Sequence, residues 1–178
     1  MANVQLTHQS YKHEKKKFPI YLVLDNVSDI VNVGSAFRLS DALGVSKIYI
    51  CGTKPIEILK NKKLTRVSRN TIHYVDYEIC DDTKKCIRNL QLHDITVLAL
   101  ELTTQSIPIQ NYSFEQQRAY AFVVGNEQDG VSQEALDTVD DTVHIDMFGN
   151  NSSMNVSVAT GIAISQCVNK IRCYVEKQ

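Results

Sequence analysis

Three short stretches of this sequence carry more polar side chains than turns and helix caps require. The first is Asp25-Asn26, followed by Asn32, Gly34 and Arg38, directly after an apolar run at 20–24. The second is Gly125-Asn126-Glu127-Gln128-Asp129-Gly130, after an apolar run at 119–124. The third, Gly149-Asn150-Asn151-Ser152-Ser153-Met154-Asn155, opens a long apolar helix. One capping side chain would satisfy that helix. Ser152 or Ser153 suffices, so the surplus reads as donors and acceptors set around a ligand, beside the free amides of a helix N-terminus. Glu127 follows a buried strand at once, where a carboxylate is costly unless partnered. Helical side chains lean toward the N-terminus, so Arg38 leans over Gly34, whose missing side chain would leave the guanidinium room to reach the strand end. An Arg exposed on a helix face fits the same residues. Gly125 and Gly130 permit a tight loop, but neither a GxGxxG nor a Walker pattern occurs, which excludes the usual phosphate cradles.

The elements that must position these residues alternate in type. Strands are expected at 20–24, 46–51, 95–100, 119–124 and 142–146, with a strand or extended segment at 71–79. Helical spacing appears at 30–43, where Val33, Ala36, Phe37 and Leu43 share a side and Gly44 closes the helix. Short helices are expected within 55–70, at 81–91 with Ile87 and Leu90 inward, and at 132–136. A closing helix is expected at 154–176, with Val156, Val158, Ala159, Ile162 and Ala163 as core. Near-continuous apolar strands alternating with helices predict an α/β domain with a buried, mostly parallel sheet flanked by helices. In such sheets ligands collect at the carboxyl ends of the strands. Each of the three polar stretches falls at such an end or at a helix mouth.

The chain has 178 residues and is 43% hydrophobic, enough for one domain with its own core. Residues 1–18 read as a basic, flexible extension and 19–178 as the domain. No apolar run of about 18 residues and no secretory leader is present, so a cytoplasmic protein is expected. Cys51, Cys80, Cys86, Cys167 and Cys173 are odd in number and without CxxC spacing. That argues against a disulfide framework or a zinc site, and no metal is expected. Charge is lopsided. Residues 1–69 hold 12 Lys+Arg against 5 Asp+Glu, and residues 70–178 hold 7 against 15. The basic part clusters at Lys12, Lys15, Lys16 and Lys17 and again at Lys60, Lys62, Lys63, Arg66 and Arg69. These could meet a polyanion such as RNA. On composition alone a solvated surface explains them as well.

Taken in order, the three stretches resemble the motifs of the SpoU/TrmH class of SPOUT RNA methyltransferases. The matching residues are Asn26, then Asn32-x-Gly34-x-x-x-Arg38, then Gly125-Asn126-Glu127-x-x-Gly130. The third motif is Ile145-x-Met147-x-Gly149-x-x-x-Ser153-Met154-Asn155-Val156-Ser157-Val158-Ala159. The resemblance spans residues 20–176. It implies a C-terminal segment threaded into a deep trefoil knot, which pattern reasoning alone would have rejected. It implies a homodimer with the active site near the interface, and methyl transfer from S-adenosyl-L-methionine to a ribose 2′-hydroxyl of RNA. It casts Leu100, Gly125, Ile145, Met147, Ser153 and Met154 as cofactor-binding. Arg38, Asn32, Glu127, Ser153 and Asn155 become catalytic. Where the family usually has Pro between Ile145 and Met147, this chain has Asp146, so the loop loses that source of rigidity.

The resemblance gives Arg38 the central role, often as general base, yet a guanidinium almost never loses its proton. Fixing the phosphate beside the attacked ribose suits it better. Family members with a bare knotted domain typically act on tRNA, so tRNA is expected ahead of rRNA, with Lys15, Lys16, Lys17, Lys62, Lys63, Arg66 and Arg69 as the contact surface. A knotted RNA-binding protein without activity is the rival reading. A nucleotide-dependent oxidoreductase would need a glycine fingerprint that residues 25–34 lack.

Overall fold

The computed structural model describes residues 3–6, 10, 15–52 and 55–172. Seven strands form its centre: β1 Phe18–Asp25, β2 Val45–Cys51, β3 Tyr77–Cys80, β4 Ile95–Leu100, β5 Ile107–Pro108, β6 Ala119–Val124 and β7 Asp141–His144. Six helices accompany them: α1 Ile30–Leu43, α2 Pro55–Leu59, α3 Lys62–Val67, α4 Thr83–Gln91, α5 Gln133–Leu136 and α6 Val156–Arg172. All strand pairs of the sheet are parallel, in the order β3-β2-β1-β6-β4-β7-β5. Consecutive side chains of a strand face opposite ways, so a continuous apolar run must be covered twice. Ile20, Leu22 and Leu24 of β1 and Tyr120, Phe122 and Val124 of β6 pack with Val33 and Phe37 of α1, Leu64 of α3 and Ile164 of α6. Val23, Ala121 and Val123 face the other way, toward Ile87 and Leu90 of α4 and Ala135 of α5.

Local signals act as expected at several boundaries. Asp29 caps α1 by accepting from the Asn32 amide, and Gly44 closes it with φ 69° while its N–H donates to Ser40 O. Elsewhere tertiary context moved the boundaries. The segment expected as extended over 71–79 opens with a 3₁₀ turn at Thr71–His73, and only Tyr77–Cys80 pairs, on β2. β7 stops at His144, so Ile145 and Asp146 lie in the loop beyond it. The 55–70 stretch makes two helices, because Asn61 caps a new one by accepting from the Lys63 amide.

The closing helix begins at Val156, and its cap is Asn155, which accepts from the Ser157 amide at 2.9 Å. Neither Ser152 nor Ser153 is the cap. The buried stripe of α6 is Thr160, Ala163, Ile164, Cys167, Val168 and Ile171, at spacings of three and four. Val158 lies off that stripe and is 55% exposed, against its expected place in the core. Residues 173–176, the end of the expected helix, lie outside the described residues.

Candidate active site

Strands β4, β6 and β7 end around a cavity of about 690 Å³. Leu100 and Glu101 line it from the end of β4, and Gly125 to Gly130 from the loop after β6. Ile145 and Met147 contribute from the loop after β7, and Ser152 to Asn155 from the approach to α6. All six residues expected to bind cofactor lie on its wall, as do Glu127 and Asn155. Asn32 lines a second cavity of about 630 Å³, which shares Asn126, Glu127, Gln128 and Asp129 with the first.

The loop after β6 turns tightly on Asn126, whose Oδ1 accepts from the Gln128 and Asp129 amides at 2.8 and 2.9 Å. A Cβ at Gly125 would stand 1.9 Å from the Gly130 carbonyl carbon, so only glycine fits. Glu101 ties this loop to the end of β4, accepting from the Val131 amide at 3.0 Å and from the Leu102 amide at 3.0 Å. The sequence reading missed Glu101, though it follows a buried strand just as Glu127 does.

Asn32 joins the three stretches. It is 7% exposed. Its side-chain amide donates to Glu127 Oε1. Its carbonyl oxygen accepts from Asn155 Nδ2 at 3.2 Å and Ser157 Oγ at 3.1 Å. The Glu127 carboxylate is itself exposed, so it meets solvent while one oxygen is held. Ser157 was not singled out from the sequence; it stands two places past Asn155, close enough to share its partner. Asp25 has a different task. It is 1% exposed, accepts from Thr83 Oγ1 at 2.6 Å and from the Ser132 amide at 2.8 Å, and so anchors the starts of α4 and α5 to the end of β1.

Asp146, which stands where the resembling family usually has Pro, receives a hydrogen bond from Gln110 Nε2 and lies 3.4 Å from His144 Nε2. The opposite edge of that imidazole meets Ser106 Oγ at 2.9 Å through Nδ1. Side-chain contacts thus restrain the loop that a proline ring would otherwise stiffen.

Arg38 stands apart. It is exposed on α1 and lines neither cavity. The expected role of Gly34 is also corrected. A Cβ there would lie 2.7 Å from Val67 Cγ1 and 3.2 Å from the Ser68 amide nitrogen, so its bareness admits α3, not the guanidinium. Arg38 follows one turn beyond that helix contact.

Lys62, Lys63, Arg66 and Arg69 are exposed on α3 and the turn after it. In the other basic cluster, Lys15, Lys16 and Lys17 are exposed, while Lys12 lies outside the described residues. Lys17 Nζ bonds Asp76 Oδ2 at 2.6 Å and holds that carboxyl below its ordinary pKa, so part of its charge is already answered. No helix among the described residues is long and apolar enough to cross a membrane.

Known proteins resemble this chain over most of its length. The model of the SpoU rRNA Methylase family matches residues 19–165. The chain is 29% identical over 148 residues to the 23S rRNA (guanosine-2'-O-)-methyltransferase RlmB of Neisseria meningitidis, covering 83% of this chain and 57% of that protein. It therefore spans less than two thirds of the length of RlmB. It is 28% identical over 151 residues to the tRNA (guanosine(18)-2'-O)-methyltransferase of Aquifex aeolicus, covering 85% of this chain and 69% of that one. The crystal structure of the A. aeolicus TrmH/SpoU tRNA modifying enzyme superposes with a TM-score of 0.80 at 26% identity, over 90% of this chain and 79% of that chain. With the three polar stretches meeting at the ends of a parallel sheet and a family model matching most of its length, the chain belongs to the SpoU rRNA methylase family.

Proposed function

We propose that this chain, through a domain at residues 19–178, transfers a methyl group from S-adenosyl-L-methionine to a ribose 2′-hydroxyl of RNA, working as a cytoplasmic homodimer. The observation that carries the reading is one cavity walled by the second and third motif loops, with Asn32 of the first motif bonded to Glu127 and Asn155 on its wall. Its volume, about 690 Å³, falls within the range of about 300–1,000 Å³ typical of small-molecule sites. The backbone at Leu100, Gly125, Ile145, Met147 and Met154 suits a purine and its ribose, because main-chain amides are fixed donors and acceptors. Ser153 adds a hydroxyl. When bound, the cofactor supplies an activated methyl on a sulfonium, so no metal is required.

The protein's task is then the sugar oxygen. Holding that oxygen in line with the methyl carbon is worth up to roughly 7–11 kcal/mol. Glu127, fixed by Asn32, presents a free carboxylate oxygen that can orient the hydroxyl or the Arg38 guanidinium. Asn155 stays aligned through the same Asn32 carbonyl. Arg38 holds the RNA phosphate beside the attacked ribose, stabilising negative charge as it develops. Its exposure on α1 suits a group that meets RNA rather than cofactor. Val31 and Val158, 57% and 55% exposed, neighbour site residues on α1 and α6 and support a second copy covering this region. The threading of the C-terminal segment belongs to the same reading; α6 packing on α1 and the insertion of β7 between β4 and β5 support it.

Transfer RNA is our first choice of substrate, since the exposed basic residues of α3 suit a folded RNA. The second reading, 23S rRNA, is favoured by the similarity to RlmB. Labelled methyl donor incubated with total tRNA and with rRNA tests both. Label is expected in an alkali-resistant dinucleotide, because a 2′-O-methyl blocks strand cleavage. Cofactor binding without transfer to either RNA would leave only a binding protein. Arg38→Ala should keep cofactor affinity and lower transfer about 100-fold or more; residual transfer within a few-fold of the parent refutes the role given to Arg38.

A further inference from the structure

We propose that Cys51, Cys80 and Cys86 form a binding site for one thiophilic closed-shell metal ion, Zn(II) or Cu(I), separate from the cofactor cavity. Their sulfur atoms all lie within 4.8 Å of one another. Three sulfurs around an ion at about 2.3 Å stand about 4 Å apart, so little movement is needed to close the site. Spacing along the chain does not reveal it, because the usual close pairs of cysteines are absent. Instead, parallel pairing sets Cys51 at the end of β2 against Cys80 at the end of β3, in direct register. Cys86 comes from α4, which is seated on the sheet by Ile87 and Leu90. Strands and a helix, not loops, therefore hold the three donors. None of the three lines either cavity.

Two of the three donors are buried and the third gives access. Cys51 and Cys86 are 3% and 5% exposed, in a cluster with Val23, Tyr49 and Ile87. Cys80 is only half-buried, which leaves a way in for an ion. A cation brings its own charge and displaces the protons. Three thiols releasing three protons leave a net charge of −1 with Zn(II) and −2 with Cu(I), so the apolar setting favours Zn(II). The ion would also pin the start of α4. Thr83, three residues before Cys86, donates to Asp25 at 2.6 Å, so the restraint reaches the end of β1.

The test uses the full chain, reduced and stripped of metal. Zn(II) is titrated against a chromophoric chelator, and Cu(I) against a competing ligand without oxygen. One ion per chain is expected, with three sulfur neighbours at about 2.3 Å by X-ray absorption. Cys51, Cys80 and Cys86 should then resist alkylation in the loaded protein. Cys80→Ser should weaken binding at least tenfold, and Cys167→Ala should leave it unchanged. If Cys80→Ser does not fold, stoichiometry, sulfur ligation and alkylation in the unaltered chain decide. Failure to bind either ion, ligation through oxygen or nitrogen alone, or a Cys51–Cys80 disulfide in the purified protein would overturn the site. Methyl transfer is not a readout, so the result stands apart from the function proposed above.

Discussion

Asn32 ends with its side-chain donor on Glu127, its side-chain acceptor shared by Asn155 and Ser157, and its backbone amide on the Asp29 cap. A buried amide so engaged leaves little tolerance for a change of charge. Asn32→Asp would replace a donor facing Glu127 with a second carboxylate. Methyl transfer is expected to fall about 100-fold or more, and stability by about 1–3 kcal/mol from the broken pair; a urea melt and a transfer assay read the two effects separately. Asp146 makes a different point. Its contacts with Gln110 and His144 restrain the cavity loop through side chains. Asp146→Ala should raise the cofactor dissociation constant several-fold and leave the melting temperature nearly unchanged, as isothermal titration would show. Cys167 sets a pH dependence. It is fully buried, and burial pushes its thiol up to about 12. The unfolded chain loses this proton first, near the ordinary value of 9.0. The stabilisation is therefore complete below about 9 and is lost as pH rises from there toward about 12. Denaturant midpoints should fall across that window, and Cys167→Ala should make the fall shallower.

Between elements, the contact that orders the site's flank is α1 against α3. It exists because Gly34 brings no side chain where Val67 and Ser68 approach. Gly34→Ala forces a Cβ to 2.7 Å from Val67 Cγ1, and the basic helix must shift outward. Overpacking of this kind costs about 1–3 kcal/mol, and for a chain of this size each kcal/mol lowers the melting temperature by about 2–4 °C. Calorimetry should show that drop together with weaker RNA binding. The motif spacing made Gly34 legible as special, but its reason was not. A glycine that admits another helix and a glycine that clears a path for Arg38 look identical in one dimension. Asn155 is similar: its type marked it for the site, but only the backbone shows it to be both the cap of α6 and a partner of Asn32.

Over the whole molecule, part of the excess positive charge of residues 1–69 is exposed on one short element. Lys62, Lys63, Arg66 and Arg69 are exposed along α3 and its following turn. Removing one cation that meets a phosphate should reduce the slope of log affinity against log salt by about 1. Replacing all four with alanine is expected to flatten that slope by up to about 4 for tRNA without moving cofactor affinity, which filter binding over a salt series would check. The sequence by itself determined the α/β class, the buried parallel strands, the order of the polar stretches and the residue types at the cavity, because apolar periodicity and motif spacing are local properties of a chain. The tertiary structure alone decided which side chains meet. Asn32 and Asn155 are separated by 123 positions, and Cys51 and Cys80 come together only because parallel strands are brought side by side by the helices between them. Contact across a parallel sheet depends on crossover and register, and neither is written in the spacing of residues along one strand.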